Sequence, residues 1–213
     1  MAIKVYILKK SIMKSSVDEY LEMKAEIKEK KRLEKQTNPE KTLEEKQKKD
    51  LRAVFVSTSD TALQALEIAG ISYEGDIDLD DIEFCKVESQ QKCICGNLHI
   101  PKLSDVLGEK IRMYFFANRR NIVIIDDEEF AEKLIKRIIA SRTKPGQSRE
   151  RFLYSFCIKF MDTDLDNLGR YEKKIMQIEE QITLDDLDDV TTKIAHLRKE
   201  LLILREYYDE LHD

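Results

Sequence analysis

The stretch that decides the fold is Arg149–Asp213, RERFLYSFCIKFMDTDLDNLGRYEKKIMQIEEQITLDDLDDVTTKIAHLRKELLILREYYDELHD. Leu168, Tyr171, Ile175, Ile178 and Ile182 recur at alternating spacings of three and four, as do Leu187, Val190, Ile194, Leu197, Leu201, Leu204, Tyr208 and Leu211. Such spacing lays a narrow apolar seam along each of two long helices, with Glu, Lys and Arg on the other faces. Thr183, Leu184, Asp185 and Asp186 separate the seams, room only for an antiparallel reversal. Asp185 and Asp186 offer the second helix an N-cap. The segment therefore predicts a long helical hairpin.

Upstream, the pattern changes to mixed strands and helices. Ala2–Leu8, Ala53–Val56, Phe84–Cys95, Asn97–Lys102, Lys110–Phe116 and Asn121–Ile125 read as strands, with Gly96–Asn97 and Ala117–Arg120 as turns. One helix begins at Ser57–Asp60, turns Ala62, Leu63, Leu66 and Ala69 inward and ends at Gly70. Another, capped by Asp126 or Asp127, faces the core with Phe130, Leu134, Ile135, Ile138 and Ile139. Ser16 and Glu19 form a capping box ahead of the short stripe Tyr20, Met23, Ile27, after which Lys28–Lys35 is almost all charge. Asn38–Pro39 breaks that helix and Thr42–Asp50 resumes it, so residues 16–50 read as a charged helical insertion in solvent. The expectation is an α+β fold: an α/β sandwich over residues 1–146, with a mixed or antiparallel sheet, then a long antiparallel hairpin over 147–213. Lys144-Pro145-Gly146 marks the hinge.

Charged residues make up 37% of the chain, yet the net charge is only −5, which describes solvated faces and ion pairs and argues against a nucleic-acid partner. No apolar run is long enough to cross a bilayer, so the sequence reads as a soluble chain. The four cysteines lack metal-type spacing and read as reduced thiols. The last seam runs to the final residues without a stop signal, which raises the expectation that the natural chain continues beyond Asp213.

Nothing in the sequence points to an enzyme. The three histidines, His99, His196 and His212, have no nucleophile beside them, and the six glycines form no phosphate loop. Cys93 and Cys95, at strand spacing, read as core filling. The acids Asp76, Asp78, Asp80 and Asp81 lack the glycine and closing glutamate of a calcium loop and read as a polar strand edge or turn. Asp162, Asp164 and Asp166 also begin like a calcium loop, but Lys173 stands where the last ligand belongs. On a helix, Asp162 and Asp166 share a face one turn apart, either as a solvated surface or as part of a weak Mg²⁺ site at an interface that another chain must complete.

The order of elements also carries a resemblance. Leu153-Tyr154-Ser155, Phe156, Phe160, Met161 and Asp162, then Ile175, Ile178, Glu179, Glu180 and Ile182, resemble the fifth helix of the CorA family of divalent-cation channels. Leu197–Arg205 is similar to that family's next helix and Lys110–Asp126 to its strand pair, so the likeness runs from Lys86 to Leu211, with Ala2–Leu8 and Ala53–Gly70 consistent with it. Ile158 stands where the family has an acid, the arm 16–50 has no counterpart, and the membrane helices and the Gly-Met-Asn pore signature are missing. The resemblance implies the cytosolic regulatory domain of a Mg²⁺ channel, at the cytoplasmic face of the cell membrane. In such a channel Mg²⁺ bridges carboxylates between neighbouring domains of a homo-oligomeric pentamer and favours the closed state. Asp162 carries over to a position near that sensor, and Asp164 is its neighbouring candidate. Mg²⁺ is then a weak regulatory ligand, with Co²⁺ or Ni²⁺ as further transported ions. The membrane would be reached through a missing C-terminal part, and the fragment alone would be a monomer or dimer. The alternative is a freestanding soluble module that uses the hairpin to bind another protein.

Overall fold

The computed structural model describes residues 3–37, 50–141, 148–183 and 187–212, with side chains at 34–37, 163–167, 183 and 187–189 left aside. In chain order it contains β1 (Lys4–Leu8), β2 (Ile12–Ser15), α1 (Val17–Thr37), β3 (Ala53–Ser57), a 3-10 turn (Ser59–Thr61) and α2 (Ala62–Ala69). There follow β4 (Lys86–Ser89), β5 (Ile94–Lys102), β6 (Asp105–Ala117), β7 (Asn121–Ile125), α3 (Phe130–Ala140), α4 (Arg149–Thr183) and α5 (Leu187–His212). The expected bend at 184–186 with its Asp caps, the resumed helix at 42–50 except Asp50, and the hinge and domain boundary at 144–147 lie outside the described residues.

The sheet runs in the order β2-β1-β3-β7-β6-β5-β4. It is mixed, as expected: β3 and β7 are parallel, with Val54 opposite Ile122 and Phe55 opposite Val123, and the other neighbours are antiparallel. β3 and β7 are buried along their whole length, which is why both read as unbroken apolar runs. On one face Tyr6, Val54, Val56, Ile122, Ile124 and Met113 pack against Leu134, Ile135 and Ile138 of α3, Phe152 and Phe156 of α4 and Tyr207 of α5. On the other, Val5, Ile7, Phe55, Phe116 and Val123 pack against Tyr20 of α1 and Ala62, Ala65, Leu66 and Ala69 of α2. Helices thus cover both faces of one sheet, an α+β fold.

Local chemistry sets the element ends. Ser16 Oγ accepts the Glu19 N–H at 3.1 Å while Glu19 Oε2 accepts the Ser16 N–H at 3.0 Å, the reciprocal capping box. At the end of α2, Gly70 has φ 72°, and the Gly70 and Ile71 N–H groups donate to Glu67 and Leu66, a Schellman closure that favours glycine. The N-cap of α3 is Glu129, with φ 58°, and neither expected Asp, while Asp126 from upstream accepts the Ala131 N–H at 2.7 Å. Asp127 instead accepts from the backbone N–H and hydroxyl of Ser59, tying the start of α2 to the end of β7.

The structure corrects several expectations. Leu63 is 71% exposed and Ala65 takes its inward place, because the buried face runs 62, 65, 66, 69 at helical spacing. Ile139 is 43% exposed, and Ala131 fills the core instead. β2 is an additional short edge strand beside β1. Residues 16–37 are no free arm, since Tyr20 is buried and meets Phe55 edge-on at 5.0 Å. Gly96–Asn97 is not a turn. β5 runs straight through it, and the β4–β5 reversal lies at Gln90–Cys93, where the Gln90 N–H donates to the Cys93 carbonyl. Glycine is present at 96 because a Cβ there would strike the Lys86 carbonyl and the Phe115 ring. Gly96→Ala is expected to cost about 1–3 kcal/mol in equilibrium urea unfolding. A loss below about 0.5 kcal/mol would mean that Phe115 swings aside freely.

Candidate functional site

The hairpin is the element that distinguishes this chain from a plain α/β sandwich. α4 has 35 residues, about 52 Å of helix, and α5 has 26. Ser148 Oγ accepts the Arg151 N–H at 3.2 Å and so starts α4, and the Arg149 guanidinium donates to the Asn118 carbonyl in the β6–β7 turn. Phe152 and Phe156 then seat its first turns on the sheet. The end of α5 returns to the same body. Leu204 joins Tyr171 and Val106, Tyr207 enters the sheet core, and Glu210 accepts the Cys85 N–H at 2.9 Å.

Between these anchors the two seams are only half used. On α4, Tyr171 and Ile178, seven residues apart, are buried against α5, whereas Leu168, Ile175 and Ile182, also seven apart, stay 40–47% exposed. On α5, Val190 and Leu204 are buried and Leu197 half-buried, while Ile194 and Leu201 remain 45% and 37% exposed. Tyr207, outside the expected seam, is buried more deeply than its seam neighbour Tyr208. One position of each heptad therefore meets the partner helix and the other faces out. A two-stranded coiled coil buries both, and a helix with a second apolar edge is suited to a third element.

The interior of the hairpin holds a polar cluster that the sequence did not disclose. Glu200, buried, accepts from Lys174 Nζ at 2.9 Å across the hairpin and lies 3.4 Å from His196 Nδ1 one turn earlier. Lys174 also stands over the Tyr171 ring at 4.9 Å. Burial, and then the Glu200 charge, push the Tyr171 phenol up to about 12. The cluster holds α4 and α5 in register. The i,i+4 pair His196–Glu200 is readable in the sequence, but Lys174 becomes its neighbour only once the register of the hairpin is known.

Of the expected metal residues, Asp162 lies midway along α4 on its exposed side and takes Lys159 Nζ at 2.5 Å, an i,i+3 ion pair. Asp164 is in the same helix, with its side chain outside the described residues, as is that of Asp166. Among the described residues no group of three His, Cys, Asp or Glu converges as a metal site. Asp162, the one of the three whose side chain is described, offers a single carboxylate with a lysine already on it. The acids at 76–81 sit in an irregular loop, with Asp80 paired to Arg112 at 3.4 Å, in keeping with a polar turn. Cys93 and Cys95 are buried on one face of the sheet as core residues. His99 Nδ1 lies 2.5 Å from the Glu83 carbonyl and burial lowers its pKa, while its backbone N–H, not its ring, donates to Cys85 Sγ at 3.3 Å. No helix of the described residues is long and apolar enough to cross a membrane.

Comparison with known proteins decides the lineage of this architecture. The family model described as CorA-like Mg²⁺ transporter protein matches residues 54–213, from β3 through the whole hairpin. The chain belongs to the CorA-like Mg²⁺ transporter family. The match takes in β3 and α2 ahead of the likeness from Lys86, and it leaves β1, β2 and α1 outside. Among solved structures the CorA-family chain is similar to the full-length CmaX protein, with a TM-score of 0.59 and 11% identity over 99% of this chain and 60% of that one. At that identity the likeness concerns the fold alone, and the chain spans 60% of the length of the CmaX chain it matches. No curated protein matches the sequence.

Proposed function

We propose that this chain is the cytosolic regulatory part of a CorA-type Mg²⁺ channel, at the cytoplasmic face of the membrane, and that its hairpin relays intracellular Mg²⁺ to a pore formed elsewhere. The observation that carries this reading is the half-used seam. Leu168, Ile175 and Ile182 on α4, and Ile194 and Leu201 on α5, are apolar seam positions that the described residues leave exposed. That supports packing against further helices of a homo-oligomer, pentameric as in the family. In such a ring Asp162, with Asp164 beside it, would face carboxylates of a neighbouring copy. Several weak Mg²⁺ bridges acting together then bias a closed arrangement, and their loss leaves like charges opposed. Mg²⁺, and by extension Co²⁺ or Ni²⁺, is also the cargo of the assembled channel.

Lys159 makes the metal part testable in both directions. It occupies Asp162 in the cation-free chain, and an exposed pair of this kind is worth about 0.2–1 kcal/mol. Lys159→Ala is expected to raise Mg²⁺ affinity by up to about fivefold in calorimetry, and Asp162→Ala to lower it. Indistinguishable isotherms for wild type and both variants would remove Asp162 from the sensor. The same exposed seam positions favour a second reading, a freestanding module that docks a helix of another protein. Sedimentation separates the two: self-association that strengthens with Mg²⁺ supports the channel domain, and a defined hetero-complex indifferent to Mg²⁺ supports the module.

A further inference from the structure

α1 crosses the C-terminal end of α2 and the β6–β7 turn, and between these elements opens a cleft of about 820 Å³. Tyr20, Ile27 and Ala69 give it apolar walls. Lys24, Lys28, Lys31 and Arg32 line it from one side of α1, at spacings that stack them along one or two turns, and Arg120 faces them from the turn. Among the described lining residues two carboxylates, Glu29 and Asp50, stand against these five cations. Asp50 is already shared, held by Lys31 and by Arg120 Nε at 3.0 Å. Lys28 and Arg32 have no ion-pair partner among the described residues. Lys24 rests over the Tyr20 ring at 5.6 Å and donates to the Ile68 carbonyl at 3.1 Å, an uncharged acceptor. Its ammonium is held below the ordinary lysine value by burial, and then by the positive fields of Arg120 and Lys28. The cations therefore feel one another inside the cleft, in a chain whose net charge is −5.

Apart from Glu29, the described groups that would repel an anion here already have partners, Asp50 among them. The carbonyl end of α2, its negative pole, is covered by amides. Asn118 Nδ2 donates to the Ala69 and Gly70 carbonyls at 3.3 and 3.2 Å, and Asn121 Nδ2 donates to Ala69 at 2.8 Å. What remains is a set of like charges beside an aromatic and aliphatic wall, an arrangement that a multiply charged anion with an organic body relieves. We propose that this cleft binds a phosphate-bearing organic anion of nucleotide size, with Lys24, Lys28, Arg32 and Arg120 holding the phosphates and the Tyr20 side of the cleft taking the organic part. The α1 wall lies outside the region that matches the CorA family, whereas Ala69 and Arg120 lie within it.

The test is calorimetry on the full chain, in Mg²⁺-free buffer, with three probes: ADP, inorganic pyrophosphate, and vesicles of phosphatidic acid in phosphatidylcholine against phosphatidylcholine alone. Saturable binding of ADP, tighter than that of pyrophosphate, is the expected result. The double variant Lys24→Gln/Lys28→Gln is expected to weaken it at least about tenfold with an unchanged thermal midpoint. A control that removes two charges elsewhere, Arg198→Gln/Lys199→Gln on α5, is expected to change it less than about twofold. Binding confined to phosphatidic acid vesicles, and lost in the α1 variant, keeps the proposal and assigns the phosphate to a lipid headgroup. It is overturned if none of the three probes binds saturably up to about 5 mM, or if the α5 control weakens binding as much as the α1 variant does.

Discussion

Phe152→Ala is expected to remove about 3–5 kcal/mol of unfolding free energy, the largest loss from any single truncation along the hairpin. Phe152 is 1% exposed on the side of α4 that meets the sheet. Its ring lies 5.9 Å from that of Phe156, in the cluster that holds Ile135 and Ile138 of α3. Removing a ring takes away its transfer free energy and leaves a cavity. Whether the cavity collapses depends on how freely α4 can shift. Here its first turn is pinned just ahead of Phe152, by the Ser148 cap and by the Arg149 contact to Asn118. A helix held in that way cannot slide to fill the gap, so the upper part of the range applies. Against a total of about 5–15 kcal/mol for a domain, such a loss is a large share of the whole. The expected signature in urea is a lower midpoint with an unchanged slope. Tyr154→Ala is the control: two positions along the same helix and 68% exposed, it is expected to shift stability by less than about 0.5 kcal/mol. Equal effects of the two substitutions would mean that the hairpin is not rooted through Phe152. If hairpin and sheet form one cooperative unit, any ligand that biases the hairpin also biases the body beneath it.

How much of this was legible in the sequence follows from which physics is local. The capping box at Ser16, the glycine stop at Gly70, the Asn118 turn and the two helices of the hairpin are set by residues within a turn or two of each other, and all were readable. The inward faces of α2 and α3 were readable only in part, because Leu63 and Ile139 satisfy the helical period as well as Ala65 and Ala131 do. Gly96 misled for a related reason: glycine before asparagine is good turn chemistry, yet here the glycine admits a ring from the neighbouring strand. The seams gave the helices but not which half of each heptad would be covered, since that depends on the crossing geometry of α4 and α5. The Glu200 cluster and the cleft under α1 join residues far apart in the chain. Asp162 stood out through the acidic spacing 162, 164, 166 and through family likeness, and among the described residues its ion-pair partner is Lys159.

Glu132 carries the second large effect, and pH exposes it. Its carboxylate, buried on α3, accepts from Lys4 Nζ at 2.5 Å and Lys136 Nζ at 3.1 Å, with the Tyr6 hydroxyl at 3.4 Å and Lys14 at 3.9 Å. The network ties α3 to β1 and β2 on the hairpin side of the sheet. The hydrogen bond from Lys4, then that from Lys136, hold the Glu132 carboxyl below its ordinary 4.5 in spite of burial. A carboxyl depressed in this way contributes stability that is fully present above pH 4.5 and is lost as the pH falls through its folded value. The alkaline side has the opposite sign. Burial, and then the Glu132 charge, raise the Tyr6 phenol from 10.0 to about 12, so its neutral form stabilises the fold below pH 10 and that contribution fades as the pH rises toward 12. Glu132→Gln keeps the shape, removes the charge and leaves Lys4 with Glu129 at 3.2 Å as its remaining acid. The expected loss at pH 7 is about 2 kcal/mol, short of the figure for a fully buried pair because Lys4 retains access to water. Two changes of shape should accompany it in urea titrations repeated from pH 3 to pH 11. The acid flank flattens, because no depressed carboxyl remains at 132. The alkaline decline persists, because burial, the larger cause of the Tyr6 shift, is untouched. A variant that matches wild type at neutral pH and falls as steeply in acid would show that Lys4 and Glu132 gain no more from each other than from water, and the tie between α3 and β1 would then rest on apolar contact alone.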